Sequence, residues 1–289
     1  MKEDCVGLLG ATSLVGGCLL TLLTEGGWQV CAFSRKKIAR HMAQVTWRQL
    51  VLPGQNSQAE GIADWICVAP VWVLPDYFSM LERYGARRVV VLSSTSRFTK
   101  EYSSDAEEQK TAAQLAAGEE SLRQWAEGRG VEWVVLRPTL IYGFGRDKNI
   151  AEIARFIRRF RFFPLFGPAR GLRQPVHAED VAAACLAALK SPAAANHAYN
   201  LSGGEVLPYR EMVGRVFTAL HRRPLLVSIP LGAFRVAVSW LRLFPRYRHW
   251  STAMAERMHR DLVFDHAEAV RDLGFSPRPF RLGPEDLPA

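Results

Sequence analysis

A segment near the start of the chain runs from apolar residues through closely spaced small residues into a second apolar stretch. Residues 6–16 read VGLLGATSLVG, with Gly10 and Gly16 six positions apart and Ser13 between them. Glycine lets the backbone pass close to a pyrophosphate, and the helix that follows offers N–H groups and a positive dipole end to that anion. The segment therefore predicts a βαβ unit that binds a nicotinamide dinucleotide. The alternative is a strand–helix turn that holds no ligand.

The second predicted strand ends in a basic segment. Phe33 is followed by Ser34, Arg35, Lys36 and Lys37, where an acidic residue would bind the ribose hydroxyls of NAD(H). These side chains suit the 2′-phosphate of NADP(H), so we expect NADP(H) to be preferred; the alternative is a solvated basic loop. The predicted cofactor-binding residues are Gly10, Thr12, Ser13, Leu14, Val15, Gly16, Ser34, Arg35, Lys36, Val68, Ala69, Pro70 and Pro138.

Short β-rich runs alternate with helical segments over the first half of the chain. This alternation predicts an α/β fold, a Rossmann doubly wound parallel sheet with helices on both faces. The predicted strands are Cys5–Leu9, Trp28–Phe33, Trp65–Val68, Arg88–Leu92 and Val131–Leu136. The predicted helices are Val15–Leu23, Asp76–Tyr84, Asp105–Glu127, Ile150–Phe160 and Ala178–Ala188. Ser104 and Glu107 have the spacing of a capping box at the start of the third helix.

The composition of the chain changes beyond Pro138. Proline, arginine and aromatic residues become denser there, and longer irregular stretches separate the helices. We expect residues 1–140, with further elements from about 172–202, to form the NAD(P)-binding core. Residues 141–171 and 203–289 are expected to form a smaller, mainly C-terminal substrate lobe.

Charge and cysteine content narrow the classes of partner. The chain has 37 Lys and Arg against 28 Asp and Glu, a net charge of +9 that favours anionic ligands. Five scattered cysteines without a CxxC pair predict reduced thiols and a cytoplasmic location. The histidines show no metal-ligand spacing, so we expect no metal. Residues 5–24 carry no charge, but Glu3, Asp4 and many small residues argue against a signal peptide or membrane span.

Further motifs follow the glycine turn in a consistent order. They are GATSLVG (10–16), LSST (92–95), LRPT (136–139) followed by Tyr142 and Gly143, RQPVHAEDV (173–181), YNLSGG (199–204) and DLGF (272–275). In this order and spacing the chain resembles, over nearly its whole length, the short-chain dehydrogenase/reductase superfamily. The likeness is to the extended and atypical branches, which include nucleotide-sugar epimerases and dehydratases.

The resemblance implies site residues on the substrate side. It implies that the Thr95 hydroxyl bonds the reacting oxygen, and that Arg173 and Tyr142 bind a phosphate-bearing substrate such as a nucleotide sugar. His177, in the same motif as Arg173, is expected to be a structural residue before the next helix.

The family's proton relay is absent from this sequence. The resemblance implies a Tyr-x-x-x-Lys pair, in which the lysine lowers the tyrosine pKa. When Glu119 is matched to the family's glutamate, Thr111 and Leu115 stand at those two positions. Three explanations remain open. Lys100 or Tyr102 supplies a displaced acid or base, the reaction needs no such pair, or the protein binds cofactor without turnover.

We therefore expect an NADP(H)-dependent oxidoreductase or epimerase that acts on a phosphate-bearing small molecule. The alternative is a catalytically silent NADP(H)-binding scaffold or redox sensor in a membrane-associated complex. The sequence leaves open whether the protein turns over substrate, and it does not indicate an oligomeric state.

Two basic, aromatic stretches bear on the choice between enzyme and scaffold. They are Arg155–Phe163 and Phe234–Phe244, the latter continuing to Trp250. Such stretches suit peripheral contact with an anionic membrane surface at its inner face, or amphipathic packing within the second lobe. The second stretch, with residues 250–261 after it, is also similar to the Rossmann-type accessory subunit of respiratory complex I. Nucleic acid is not expected as a partner, because these aromatic residues lie in helical context.

Overall fold

A seven-stranded parallel sheet forms the centre of the chain in a computed structural model that describes residues 5–39, 41–50, 61–230 and 257–289. Its strands are β1 (Cys5–Leu9), β2 (Gln29–Ser34), β3 (Val45–Gln49), β4 (Asp64–Cys67), β5 (Arg88–Leu92), β6 (Glu132–Pro138) and β11 (His197–Leu201). They lie side by side in the order β11-β6-β5-β4-β1-β2-β3, all parallel. The predicted α/β Rossmann fold is confirmed.

Helices cover both faces of this sheet. Helices α1 and α6 cover one face and α4 the other, whereas α5 and α7 belong to a second core. The described α-helices are α1 (Leu14–Glu25), α2 (Phe78–Arg83), α3 (Ser96–Thr99), α4 (Ala106–Glu127), α5 (Ile150–Phe160), α6 (Ala178–Lys190), α7 (Tyr209–Ala219) and α8 (Ala267–Leu273). Side chains alternate between the two faces along each strand. On β5, Val90 joins the core under α1 and α6, while Val89 and Val91 join the core under α4. Both faces of β5 are apolar because both are buried.

A separate hydrophobic core lies beside the sheet. Its largest members come from α5, α7 and β8 (Phe163–Phe166), and include Ile153, Phe166 and Phe217. Short strands complete this region: β7 (Ile141–Tyr142), β9 (Leu172–Arg173), β10 (Val176–His177), β12 (Leu207–Pro208) and β13 (Leu226–Ile229). These segments share a second hydrophobic core, and the division into an NAD(P)-binding core and a substrate lobe stays a prediction.

Some element boundaries differ from the sequence predictions for identifiable reasons. The segment expected as one helix over 76–84 is a 3₁₀ helix, Val71–Tyr77, followed by α2. Pro75 lies inside this 3₁₀ helix, and proline has no N–H to donate to an α-helical hydrogen bond. The capping box expected at Ser104 is also wrong. Asp105 is the N-cap of α4, because its carboxylate accepts the Glu107 N–H at 3.0 Å.

Two sequence features fall wholly or partly outside the described residues. The basic, aromatic stretch Phe234–Phe244 lies there, as does the segment that continues it to Trp250. Within the residues that are described, no helix is long and apolar enough to cross a membrane.

Candidate functional site

A cavity of about 1030 Å³ lies between the carboxyl ends of the central strands and the second lobe. On the sheet side its wall is formed by Ser13, Leu14, Val15, Val68, Leu92, Ser94, Thr95, Ser96, Thr99 and Lys100. Residues of the second lobe that face it include Arg146, Ile153, Phe156, Phe166, Arg173 and Met258. In open α/β sheets, ligands bind in the crevice at the carboxyl ends of the strands, so this cavity is the candidate site.

The glycine turn borders this cavity. Gly10 has a positive φ of 87°, and a Cβ there would lie 2.6 Å from the Ala69 nitrogen. A Cβ on Gly16 would lie 2.2 Å from the Gly10 carbonyl oxygen, so the turn admits no side chain at either position. Ser13, where a third glycine is usual, is the N-cap of α1, and its Oγ accepts the Gly16 N–H at 3.0 Å. The first residues of α1, Leu14 among them, then present the helix start to the cavity.

The basic segment after β2 lies beside the same edge of the sheet. Ser34 accepts the Lys36 N–H at 3.2 Å on its side-chain oxygen, which turns the chain at the strand end. Arg35 and Lys36 are exposed, and the Gln49 amide donates to the Arg35 carbonyl at 3.3 Å. Because β1 and β2 are parallel neighbours, this segment and the glycine turn begin at adjacent strand ends.

The remaining predicted cofactor residues lie around the same strand ends. Val68 follows β4 and lines the cavity, and its N–H bonds the Leu9 carbonyl at 2.9 Å. Ala69 and Pro70 continue from it, and the Ala69 backbone lies against Gly10. Thr12 is exposed in the turn itself. Pro138 ends β6 and is buried.

Thr95, the predicted catalytic residue, lines the cavity and is only 5% exposed. Its hydroxyl donates to the Pro138 carbonyl at 3.1 Å, and its N–H bonds the same oxygen at 3.1 Å. The hydroxyl proton is therefore engaged, and the oxygen presents its lone pairs. In this arrangement the Thr95 oxygen can accept a hydrogen bond from a ligand in the cavity.

The two relay positions on α4 contribute nothing to the cavity wall. Leu115 is buried in the core between α4 and the sheet. The Thr111 hydroxyl donates to the Glu107 carbonyl at 2.8 Å within the helix. Neither residue lines the cavity, and neither has the phenol or the amine that the family's proton relay uses.

Glu119 is the residue whose match to the family's glutamate places Thr111 and Leu115 at the relay positions. It is part of a buried ion-pair cluster. Its carboxylate accepts the Ser93 hydroxyl at 2.5 Å and two bonds from Arg137, the shorter at 2.6 Å. Arg97 makes a further ion pair with it. The cluster ties α4 to β5, β6 and α3, which is a structural role.

The two alternative acid–base candidates lie in different environments. Tyr102 is 78% exposed and does not line the cavity. Lys100 lines the cavity and is half-buried. Burial, together with the positive charge of Arg257, lowers the pKa of Lys100 against an opposing effect of Asp105. A lysine of lowered pKa exchanges its proton more readily near neutral pH.

Arg173 lies buried in the cavity wall. It donates to the backbone carbonyls of Leu172 at 2.7 Å, of Arg260 at 2.8 Å and of Arg257, and its guanidinium lies 5.3 Å from the centre of the Tyr209 ring. Burial lowers the pKa of Arg173. No ion pair found among the described residues includes Arg173, so its guanidinium is held by backbone carbonyls and not by a carboxylate.

Tyr142, expected to bind substrate, is a core residue in the structure. Its ring is fully buried and packs edge-on against His177 and Phe280. The hydroxyl donates to the Arg281 carbonyl at 3.3 Å, and burial raises the Tyr142 pKa to about 12. The side chain does not line the cavity, and we leave Tyr142 out of the substrate site proposed below.

His177 has the structural position that the sequence predicts. It is the N-cap of α6 and accepts the Glu179 N–H at 3.3 Å, while its Nε2 lies 3.1 Å from an Asp286 oxygen.

The cavity wall carries far more positive than negative charge. Its cationic residues are Lys100, Arg146, Lys148, Arg155, Arg159, Arg173 and Arg257, against the carboxylates of Asp147 and Glu152. Both carboxylates are engaged: Glu152 pairs with Arg155 at 2.6 Å, and Asp147 accepts the Asn149 N–H at 2.8 Å. Sequence reasoning missed Arg146 and Lys148, although both stand in a run of charged residues directly after the Tyr142 motif. The surplus of positive charge suits a ligand with several phosphate charges.

Comparison with known proteins gives the family context. Residues 76–202 match the family model described as NAD dependent epimerase/dehydratase family. UDP-glucose 4-epimerase of Vibrio cholerae is 23% identical over 159 residues, covering 55% of this chain and 46% of the relative. A mitochondrial protein of Mus musculus, NADH dehydrogenase [ubiquinone] 1 alpha subcomplex subunit 9, is 28% identical over 182 residues, covering 59% and 47%. The chain spans half or less of the length of the curated relatives it matches.

A solved structure supports the same fold. MoeE5 in complex with UDP-glucose and NAD superimposes with a TM-score of 0.68 at 20% identity, covering 98% of this chain and 95% of that chain. At this identity the likeness shows the architecture alone. Together with the family match, it confirms the resemblance that the motifs indicate.

Proposed function

We propose that this chain, whose residues 76–202 match the NAD dependent epimerase/dehydratase family model, is an NADP(H)-binding oxidoreductase or epimerase acting on a phosphate-bearing substrate. The observation that carries this proposal is the cavity itself. It joins the start of α1, after the glycine turn, to a wall that holds seven cationic and two acidic side chains. A dinucleotide and a second phosphorylated molecule together bring the negative charge that such a wall would bind.

The proposed cofactor site follows from the order of the strand ends. The pyrophosphate would lie at the start of α1, where the N–H groups of the first turn and the helix dipole favour an anion. Arg35 and Lys36 follow the neighbouring strand, where the adenosine ribose of a dinucleotide lies in this fold. Their exposed positive charges, with the Ser34 hydroxyl between strand and loop, support NADP(H) over NAD(H).

The proposed substrate side is centred on Arg173. The guanidinium N–H groups that do not bond backbone carbonyls would donate to phosphate oxygens, and its charge has no bonded carboxylate among the described residues. The names of solved neighbours include complexes with UDP-glucose and UDP-glucuronic acid, each with NAD. A nucleotide sugar is therefore the first substrate class to test.

Lys100 is the residue proposed to handle the proton. When bound, the nicotinamide supplies hydride transfer, and a hydroxyl or carbonyl of the substrate must lose or gain a proton at the same time. Lys100 lines the cavity and has a lowered pKa, so its Nζ can hold or receive that proton. The Thr95 hydroxyl donates its hydrogen bond to the Pro138 carbonyl, so its oxygen would accept one from a second hydroxyl of the substrate and orient the substrate, while the reacting oxygen exchanges its proton with Lys100.

The alternative function is a silent NADP(H)-binding scaffold in a membrane-associated complex. Two observations favour it: the relay positions are occupied by Thr111 and Leu115, and a mitochondrial NADH dehydrogenase subunit is among the relatives. Phe160 is exposed on α5 beside Arg158 and Arg161. These residues of the basic, aromatic stretch Arg155–Phe163 would contact anionic lipid.

One pair of measurements separates the two functions. The purified chain is first titrated with NADPH and NADH, and then incubated with NADP⁺ or NADPH and a panel of nucleotide sugars while nicotinamide absorbance and sugar products are followed. Turnover that Lys100→Met abolishes supports the enzyme. Tight NADPH binding without turnover on the panel, together with flotation on anionic vesicles, would support the scaffold.

A further inference from the structure

The loop between β7 and α5 is held in an unusual backbone conformation. Gly143, Phe144 and Gly145 all have positive φ values, of 135°, 55° and 60°. This conformation is costly for a residue with a side chain such as Phe144, so the surrounding structure must hold it. The Phe144 N–H donates to Asp286 at 3.2 Å, and a Cβ on Gly145 would lie 2.5 Å from the Leu287 backbone. The C-terminal segment of the chain therefore fixes the first half of this loop.

The second half of the loop is fixed by Asp147. This side chain is buried and accepts the N–H groups of Asn149 at 2.8 Å and of Ala151 at 3.2 Å, which anchors the loop to the start of α5. Arg146 stands between the two anchored parts. Its backbone is thus positioned by its neighbours on both sides.

The Arg146 side chain reaches from the second lobe to the cofactor turn. Its Nη2 donates to the Thr12 carbonyl at 3.3 Å. Its Nη1 would lie 3.8 Å from a Cβ on Gly17, an ordinary contact distance, which places the guanidinium beside the first turn of α1. Arg146 also lines the cavity beside Ser13 and Leu14. The residue is exposed, and none of the ion pairs formed within the described ranges includes it.

We propose that Arg146 is a further cofactor-binding residue, which clamps the dinucleotide pyrophosphate from the second lobe. An arginine held at a helix start that favours anions is suited to bind phosphate oxygens in a forked geometry. Arg146 touches the start of α1, whereas Arg35 follows β2. The two arginines therefore serve different phosphates: Arg146 the pyrophosphate common to both cofactors, and Arg35 the 2′-phosphate of NADP(H) alone.

This inference rests on the proposed dinucleotide binding, and a binding experiment separates the failure of one from the failure of the other. Dissociation constants for NADPH and NADH are measured by nicotinamide fluorescence on the full chain and on Arg146→Ala, Arg146→Lys, Arg35→Ala and Arg83→Ala. Arg83 is exposed on α2, outside the cavity wall, and controls for the loss of one positive charge. Thermal melting without nucleotide checks that each variant is folded.

Arg146→Ala should weaken NADPH and NADH by the same factor, about tenfold, because a charge-assisted bond to a shared group is lost. Arg146→Lys keeps the charge but not the fork, so its loss should be smaller. Unchanged binding of both cofactors, or a loss confined to NADPH, would overturn the pyrophosphate assignment while leaving dinucleotide binding intact. A wild-type chain that binds neither cofactor would overturn the proposed function and this inference together.

Discussion

Two groups of charged side chains in this molecule differ in how their charge is balanced. Around Glu119, one buried carboxylate accepts bonds from Arg97, Arg137 and Ser93. Around the cavity, seven cationic side chains face two carboxylates that are themselves engaged. In the first group, both arginines share a carboxylate of the chain. In the second group, only Arg155 and Arg257 are paired in this way, with Glu152 and Glu108, and the other five cations take part in no ion pair among the described residues. These five side chains are the ones that a bound anion would neutralise.

The largest predicted effect is the loss of folding stability when the Glu119 carboxylate is removed. Glu119→Ala leaves Arg97 and Arg137 partly buried without their shared partner, and removing one side of a buried ion pair costs about 3–5 kcal/mol. We expect the free energy of unfolding in urea to fall by that amount. Glu120→Ala, which removes an exposed partner of Arg123 on the same helix, is the control and should have a much smaller effect. Equal losses in the two variants would contradict the structural role of the cluster.

A change of Lys100 should act on turnover and leave folding nearly unaffected. Lys100→Met is expected to lower kcat about 100-fold, the contribution of a positioned acid or base. In the direction of carbonyl reduction the protonated amine is the active form. The rate should therefore fall as pH rises through the lowered Lys100 pKa, and the variant should lose that dependence. Tyr102→Phe alters an exposed side chain outside the cavity and should match the wild type. Loss of turnover in Tyr102→Phe, with Lys100→Met active, would reverse the assignment.

A substitution in the basic segment after β2 should change the preference for NADPH over NADH and leave the other properties of the protein unaltered. Arg35→Ala is expected to weaken NADPH about tenfold more than NADH, because a charge-assisted bond to the 2′-phosphate is lost. The measurement is the ratio of the two dissociation constants, with Arg83→Ala as the control for net charge. An unchanged ratio would show that Arg35 belongs to a solvated loop.

The smallest predicted effect concerns Tyr142. Tyr142→Phe removes one hydroxyl bond to the Arg281 carbonyl, which contributes about 1 kcal/mol to stability. Because the side chain packs in the core, KM for any substrate that proves active should stay unchanged. A raised KM without loss of stability would restore Tyr142 to the substrate site.

The sequence predicts the cofactor half of the molecule better than the substrate half. Apolar runs and small residues at short range determine β1, the Gly10–Gly16 turn and α1, and the structure has all three where expected. Strand β3 was missed: its residues are exposed or half-buried at the sheet edge, and they show no apolar run. The position of Arg146 depends on a loop that Asp286 holds from 140 residues further along the chain. No local pattern could indicate that contact.

The same limit applies to Tyr142, whose role in substrate binding stays a prediction although its side chain is buried in the core. A motif places this tyrosine near the end of a strand, but its surroundings come from His177 and Phe280, which are distant in sequence. Thr95 lies in the cavity wall, and its catalytic role stays a prediction. Its position at the cavity follows from the strand before it, while its bond to Pro138 depends on strand pairing.

The most direct test of the central claim is a crystal structure of the chain saturated with NADP⁺. We predict density for the dinucleotide in the cavity, with its pyrophosphate between the start of α1 and Arg146, its 2′-phosphate near Arg35, and Lys100 on the nicotinamide side. A dinucleotide bound elsewhere, or a cavity that stays without one in saturated crystals, would contradict the account.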